Sequence, residues 1–180
     1  MKLIIGLGNP GKQYEKSRHN AGFLMLDKIK EQFDFSDFKQ EKSFNAELSE
    51  KIMDDNKIIL AKPQTFMNNS GEAVQKMMAF YKLTPEDILV IHDDLDIAIG
   101  KYKIAEDSRS AGHNGVQNII DLLGTQTFKR ARIGIGQTEK EALVCRLDAH
   151  DFVLEKFTQE ELKKIEGVFE SALEEIKNFL

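Results

Sequence analysis

A histidine, an aspartate far from it in the chain and several asparagines fall at positions where folding alone has little use for them. His19 sits in Arg18-His19-Asn20, and Asp93 in His92-Asp93-Asp94-Leu95-Asp96. Asn9 follows Gly6-Leu7-Gly8. Asn68 lies within Phe66-Met67-Asn68-Asn69-Ser70-Gly71 and Asn114 within Gly112-His113-Asn114-Gly115. Histidine exchanges protons near neutral pH. Asparagine amides donate and accept hydrogen bonds without bringing charge. The set His92, Asp93, Asp94 and Asp96 offers a second chemistry, ligation of a hard metal ion.

The elements around these residues alternate in character. Lys2–Gly8 reads as a short β-branched strand, and Asn20–Phe33 as a helix with Phe23, Leu24, Leu26, Ile29 and Phe33 at helical spacing. Phe44–Ile52 and Lys57–Lys62 read as strands joined by a turn at Met53-Asp54-Asp55-Asn56. Ser70–Leu83 returns to helical period, and Ile88–His92 is an apolar strand of the kind buried on both faces. Strands are predicted over Lys101–Ala105 and Ala131–Gly136, with a helix over Asn114–Leu123 between them. An amphipathic helix from about Glu160 to Phe179 aligns Leu162, Ile165, Phe169, Leu173 and Ile176. The alternation, with its one hairpin, predicts an α/β fold: a single three-layer domain over residues 1–180, its twisted mixed β-sheet flanked by helices. The polar clusters then follow strands, at the sheet edge where open α/β folds bind ligands.

Each cluster also has a plain local reading. Gly6-Leu7-Gly8-Asn9-Pro10-Gly11 matches the dinucleotide fingerprint in form, but Lys12–Arg18 has no apolar period and so no helix to receive a pyrophosphate. A tight turn presenting Asn9 fits better. Asn20, Asn68, Asn69 and Asn114 are all of a type that caps helices. Cys145, after a helical Glu139–Val144 stretch, reads as an inert buried thiol.

Composition narrows the class. The 180 residues are 41% hydrophobic and 31% charged, which are globular values, and a lone cysteine excludes an intrachain disulfide and a multi-thiolate zinc site. Apolar runs are far shorter than the ~20 residues of a membrane helix, and the start lacks a signal peptide's apolar region. A soluble cytoplasmic protein is expected. The formal charge is −5, yet residues 1–30 carry a net +4 and residues 101–132 a net +3, while residues 155–180 carry −3. A local basic field can bind a polyanion despite the total.

One by one the local readings suffice; in order they do not. These motifs, extended by Arg130-Ala131-Arg132-Ile133-Gly134-Ile135-Gly136 and Asp151-Phe152-Val153-Leu154, closely resemble those of bacterial-type peptidyl-tRNA hydrolases over nearly the whole chain. The resemblance implies an enzyme that cleaves the ester between a peptide and the 3′ ribose of tRNA, as a monomer and without metal or cofactor. It implies His19 as the base and Asp93 as its partner. It also implies that Asn9, Tyr14, Asn20, Phe66, Met67, Asn68, His113 and Asn114 lie against the peptide and the tRNA 3′ end. Lys101, Lys103 and Arg132 would then grip the acceptor arm, with Arg109 and Arg130 as neighbours. Such contacts position the substrate and read little sequence. Two departures stand out: Glu106 and Asp107 bring negative charge to the expected phosphate path, and no basic tail follows the last helix.

Overall fold

The computed structural model describes residues 1–136 and 149–179; Cys145 and the Glu139–Val144 stretch lie outside them. The chain runs β1 (Lys2–Gly6), α1 (Ala21–Gln32), β2 (Lys39–Glu41), β3 (Ala46–Met53), β4 (Asn56–Pro63) and α2 (Ser70–Tyr81). It continues with β5 (Ile88–Ala98), β6 (Tyr102–Ala105), α3 (Asn114–Leu123), β7 (Lys129–Gly136), α4 (Ala149–Leu154) and α5 (Gln159–Lys177). Short 3₁₀ turns at Arg18–Asn20 and Met67–Asn69 precede α1 and α2.

Among the described residues the strands form one sheet in the order β2-β3-β4-β1-β5-β7-β6. β1 pairs in parallel with β4 and β5, and β5 with β7; the β2–β3, β3–β4 and β6–β7 pairs are antiparallel. The mixed α/β sheet expected from the hairpin is therefore present. Its central strands are apolar on both faces. Ile4, Ile58, Leu60, Leu89 and Ile91 join α1 and α5 in one core, whereas Leu3, Ile5, Ile59, Ile88 and Val90 join α2 and α3 in the other. With helices on opposite faces, the carboxyl ends of β1, β4 and β5 open into a common crevice.

Local differences from the sequence reading have local causes. β5 continues through Asp93 and Asp94 to Ala98, because pairing with β7 persists beyond the apolar run. β2 is only three residues long and exposed, so it has no hydrophobic signature. Helix α4 carries the Phe152-Val153-Leu154 motif in too few residues to show a period.

The glycines after β1 serve packing. A Cβ on Gly6 would come within 2.4 Å of the Gly22 carbonyl oxygen, and one on Gly22 within 2.3 Å of the Ile91 oxygen and 2.4 Å of the Leu7 nitrogen. The first turn of α1 thus lies directly on the backbone of β1 and β5, which brings His19 to the middle of β5. No helix stands behind Gly11, in keeping with a turn that presents Asn9. Gly22→Ala should force that contact apart and destabilise the fold by about 2–3 kcal/mol. Thermal unfolding would then show a midpoint roughly 5–10 °C lower.

Candidate active site

Asp93, midway along β5, is 2% exposed. His19 Nδ1 lies 2.9 Å from its Oδ1 and 3.0 Å from its Oδ2, and His113 Nε2 lies 3.0 Å from Oδ1. The Val116 backbone N–H donates to His113 Nδ1 at 3.2 Å, so His113 carries its proton on Nε2 and donates it to Asp93. His19 likewise directs Nδ1–H at Asp93, leaving its Nε2 lone pair for the cavity that its ring lines.

Burial opposes ionisation of Asp93, but its interactions with His19 and His113 outweigh it and hold its carboxyl far below the usual carboxylate range. Burial also disfavours the imidazolium of His19; the charge and hydrogen bond of Asp93 win, and the His19 pKa stands above its ordinary value.

The cavity beside His19 has a volume of about 510 Å³. Of the residues singled out from sequence, Asn9, Tyr14, Phe66, Met67, Asn68, His113 and Asn114 line it with His19 and Asp93. Asn9 arrives from the β1 loop. Its Oδ1 accepts the Met67 backbone N–H at 2.8 Å, which fixes the amide orientation and turns its Nδ2 hydrogens away from that bond. Phe66 adopts φ +59°, an uncommon backbone conformation for a residue with a side chain, and leaves its ring 57% exposed. Asn68 and Asn114 come together because Met67 packs on Gly115, where a Cβ would meet its sulfur at 2.6 Å.

Asn20 is a correction to the expected substrate contacts. It is 2% exposed, and its side chain is spent on the Asn9 backbone, accepting from N at 2.8 Å and donating to O at 3.0 Å. It positions Asn9. The helix-capping readings also fail: neither Asn20 nor Asn69 makes a side-chain cap bond, and the residue capping α3 is His113, one before Asn114.

The basic residues divide. Lys103 and Arg132 are cross-strand partners on β6 and β7, and the Arg132 Nε donates to Asp94 Oδ2 at 2.6 Å. Lys101 is exposed just before β6. Arg130, taken as their neighbour, is fully buried, with its guanidinium donating to the Ser108 and Arg109 carbonyls. It braces the loop ahead of α3 and offers nothing to a phosphate.

The metal reading over His92, Asp93, Asp94 and Asp96 does not assemble. Successive strand residues face opposite ways. Asp94 Oδ1 accepts the Asp96 N–H while Oδ2 holds Arg132, and the His92 ring donates through Nδ1 to the Asp93 carbonyl. His19, Asp93 and His113 do bring ligand-type atoms within 4.8 Å of one another. A cation on His113 Nε2 would, however, displace a proton from a ring whose other nitrogen already accepts a hydrogen bond. The donor set suits protons.

A model of the family described as peptidyl-tRNA hydrolase matches residues 3–180. The chain belongs to this family. A peptidyl-tRNA hydrolase of Mycoplasma mycoides subsp. mycoides SC is 46% identical over 179 residues, spanning 99% of this chain and 92% of its own. One of Lactiplantibacillus plantarum is 40% identical over 180 residues, spanning 100% of this chain and 93% of its own. The crystal structure of peptidyl-tRNA hydrolase from Acinetobacter baumannii superposes with a TM-score of 0.87 at 31% identity, covering 98% of this chain and 87% of that one.

Sequence reasoning passed over the residue that anchors the hydrolase's histidine. In the sequence Arg18 figures as a motif residue beside His19 and as positive charge, yet it is 4% exposed. Its guanidinium pairs with Glu155 at 2.9 Å and Glu161 at 3.1 Å, and stacks 4.2 Å from the Phe152 ring. Glu155 and Glu161 stand more than 130 positions away, so no local pattern announces the pairing. Arg18→Ala should cost about 3–5 kcal/mol by stranding Glu161 and emptying the site beside Phe152. Chemical denaturation would measure the loss, and turnover should fall with it as the His19 turn loosens.

Proposed function

We propose that this peptidyl-tRNA hydrolase cleaves the ester between the peptide and the 3′ ribose of tRNA with His19 as general base, Asp93 as its partner and no metal or cofactor in any step. The observation that carries the reading is the His19–Asp93 hydrogen bond at the cavity wall, which leaves one imidazole lone pair turned to the cavity. His19 Nε2 takes a proton from a water molecule as its oxygen attacks the ester carbonyl. The imidazolium that forms is stabilised by the Asp93 carboxylate. The Asn9 Nδ2 group donates to the developing oxyanion, and Asn68 and Asn114 hold the peptide carbonyls and the water. Collapse of the tetrahedral intermediate expels the ribose 3′ oxygen, which receives the proton from His19. The products are a peptide carboxylate and free tRNA, the recycling that aborted translation requires.

The apolar residues of the cavity suit the flat and aliphatic parts of such a substrate. Tyr14, Phe66, Met67, Leu95, Val153 and Leu154 line it around the polar centre. Lys101, Lys103 and Arg132 would contact acceptor-arm phosphates; the Lys103–Arg132 cross-strand pairing supports a joint contact. The enzyme acts as a monomer in the cytoplasm. Among the described residues no helix is long and apolar enough to cross a membrane.

His19→Ala should lower release of N-acetylated amino acid from tRNA by at least about 10²-fold while the fold persists; near-normal turnover would remove His19 from this role. The base must be unprotonated, so kcat/KM should fall as pH drops through a value above the ordinary histidine pKa. Asp93→Asn should move that acid limb downward and reduce the plateau. Replacing Arg132 or Lys103 by Ala should raise KM more than it lowers kcat and flatten the salt dependence of KM by about one counterion each. An unchanged salt slope would place the phosphate contacts elsewhere.

A further inference from the structure

His113 lines the cavity, but its hydrogen bonds do not point at a substrate. Its Nδ1 accepts the Val116 N–H, its Nε2–H goes to Asp93 Oδ1, and its side chain is 6% exposed. Both nitrogens are therefore committed. The ring is packed between His92, which meets it edge-on with centroids 4.8 Å apart, and His19, with centroids 4.9 Å apart. His92 is itself held by donating Nδ1–H to the Asp93 carbonyl at 2.7 Å, and its buried Nε2 meets no partner among the described residues. Asp93 Oδ1 is thus shared between two donors: His19 at 2.9 Å and His113 at 3.0 Å.

We propose that His113 is a positioning residue acting on Asp93, a fixed neutral donor that holds the carboxylate toward His19 and draws off part of its negative charge, so setting how strongly His19 binds a proton. The proposal deepens the reading of His19 as base and rests on it. The physics is a competition for one oxygen. A hydrogen bond to a carboxylate stabilises the ionised form and lowers its pull on a neighbouring cation. The Val116 N–H at the start of α3 polarises the ring and strengthens its Nε2–H as a donor. Removing His113 from Asp93 leaves the oxygen wholly to His19, whose proton affinity then rises. Removing Asp93 has the opposite sign. Burial keeps His92 neutral, so that ring brings no competing cation. Other charged or titratable groups around the cavity are Asp94, bound to Arg132, and His150 and Tyr14 on its wall. Among the described residues none of these hydrogen-bonds to Asp93 or His19, and all are present in every variant below.

The test uses His113→Asn and His113→Gln in the full chain. Asn is a favoured helix cap, so it keeps the bond that starts α3 and deletes only the reach to Asp93. The longer Gln amide restores a donor near the former Nε2. The chain has four histidines, so the His19 imidazole can be titrated directly by NMR, independent of turnover. The pH profile for N-acetyl-aminoacyl-tRNA is then recorded alongside. In His113→Asn the His19 titration and the acid limb of kcat/KM should both move up by half a pH unit or more, roughly threefold or greater in proton affinity. KM should stay within about twofold, and turnover should recover toward the wild-type plateau at higher pH. His113→Gln should bring the titration back toward wild type. An unmoved His19 titration in a folded His113→Asn protein would overturn the proposal. So would a rise in KM with no shift of the limb, which makes His113 a substrate contact, or a shift that Gln does not reverse. A His19 titration that moves as expected while the acid limb stays put would leave the Asp93 link standing and remove His19 as the base.

Discussion

A carboxylate that is almost sealed from water must be matched by donors or it will not ionise. Asp93 is that group, and much of the molecule is arranged around supplying its donors. One comes from the turn before α1, on one side of the sheet. The other comes from the start of α3, on the other side. Neither histidine is near Asp93 in the chain, and they meet at its carboxylate only because β5 carries it past the ordinary end of an apolar strand, still paired with β7. The same pairing that satisfies Asp93 raises the basicity of His19, so the interaction that stabilises the buried charge also prepares the proposed base.

Precision at this point depends on backbone contact. Gly22 lets α1 touch β1 and β5 without an intervening side chain, and Gly115 lets α3 close on Met67. Arg18 then ties the His19 turn to α4 and α5 through two glutamates. The Arg18 N–H to Glu155 carbonyl bond at 2.9 Å and the Phe157 N–H to Lys16 carbonyl bond at 2.9 Å add backbone to that tie. Helices late in the chain thereby hold a residue near its beginning, which gives α5 a role in the site although none of its side chains lines the cavity.

Charge is handled by position and not by total. Of the basic residues in the early segment, Arg18 is consumed internally; of those in the later one, Arg130 is buried beneath the 108–109 backbone. On β6 and β7, Lys103 is exposed, whereas Arg132 is only partly so and is held by Asp94. Asp94 orients Arg132 through Nε, and Asp94 follows Asp93 directly on the strand. The proposed phosphate contact and the proposed base are thus each held by one of two consecutive carboxylates.

The α/β class, the hairpin, the principal helices and the grouping of His19, Asp93 and the asparagines as one ordered set were legible in the linear chain, since apolar periodicity and motif order are properties of that chain. The sequence did not distinguish Asn20 from Asn9, or Arg130 from Arg132, because neighbours of the same type can be told apart only by which side of the backbone meets a partner. Tertiary structure decided that Asn20 supports Asn9, that Arg130 braces a loop and that His113 spends both nitrogens within the protein. It also supplied Arg18's carboxylates from more than 130 positions away. Local spacing carries no record of such partners; burial and hydrogen-bond geometry do, because an unmatched charge inside the fold would cost more than the fold can spare.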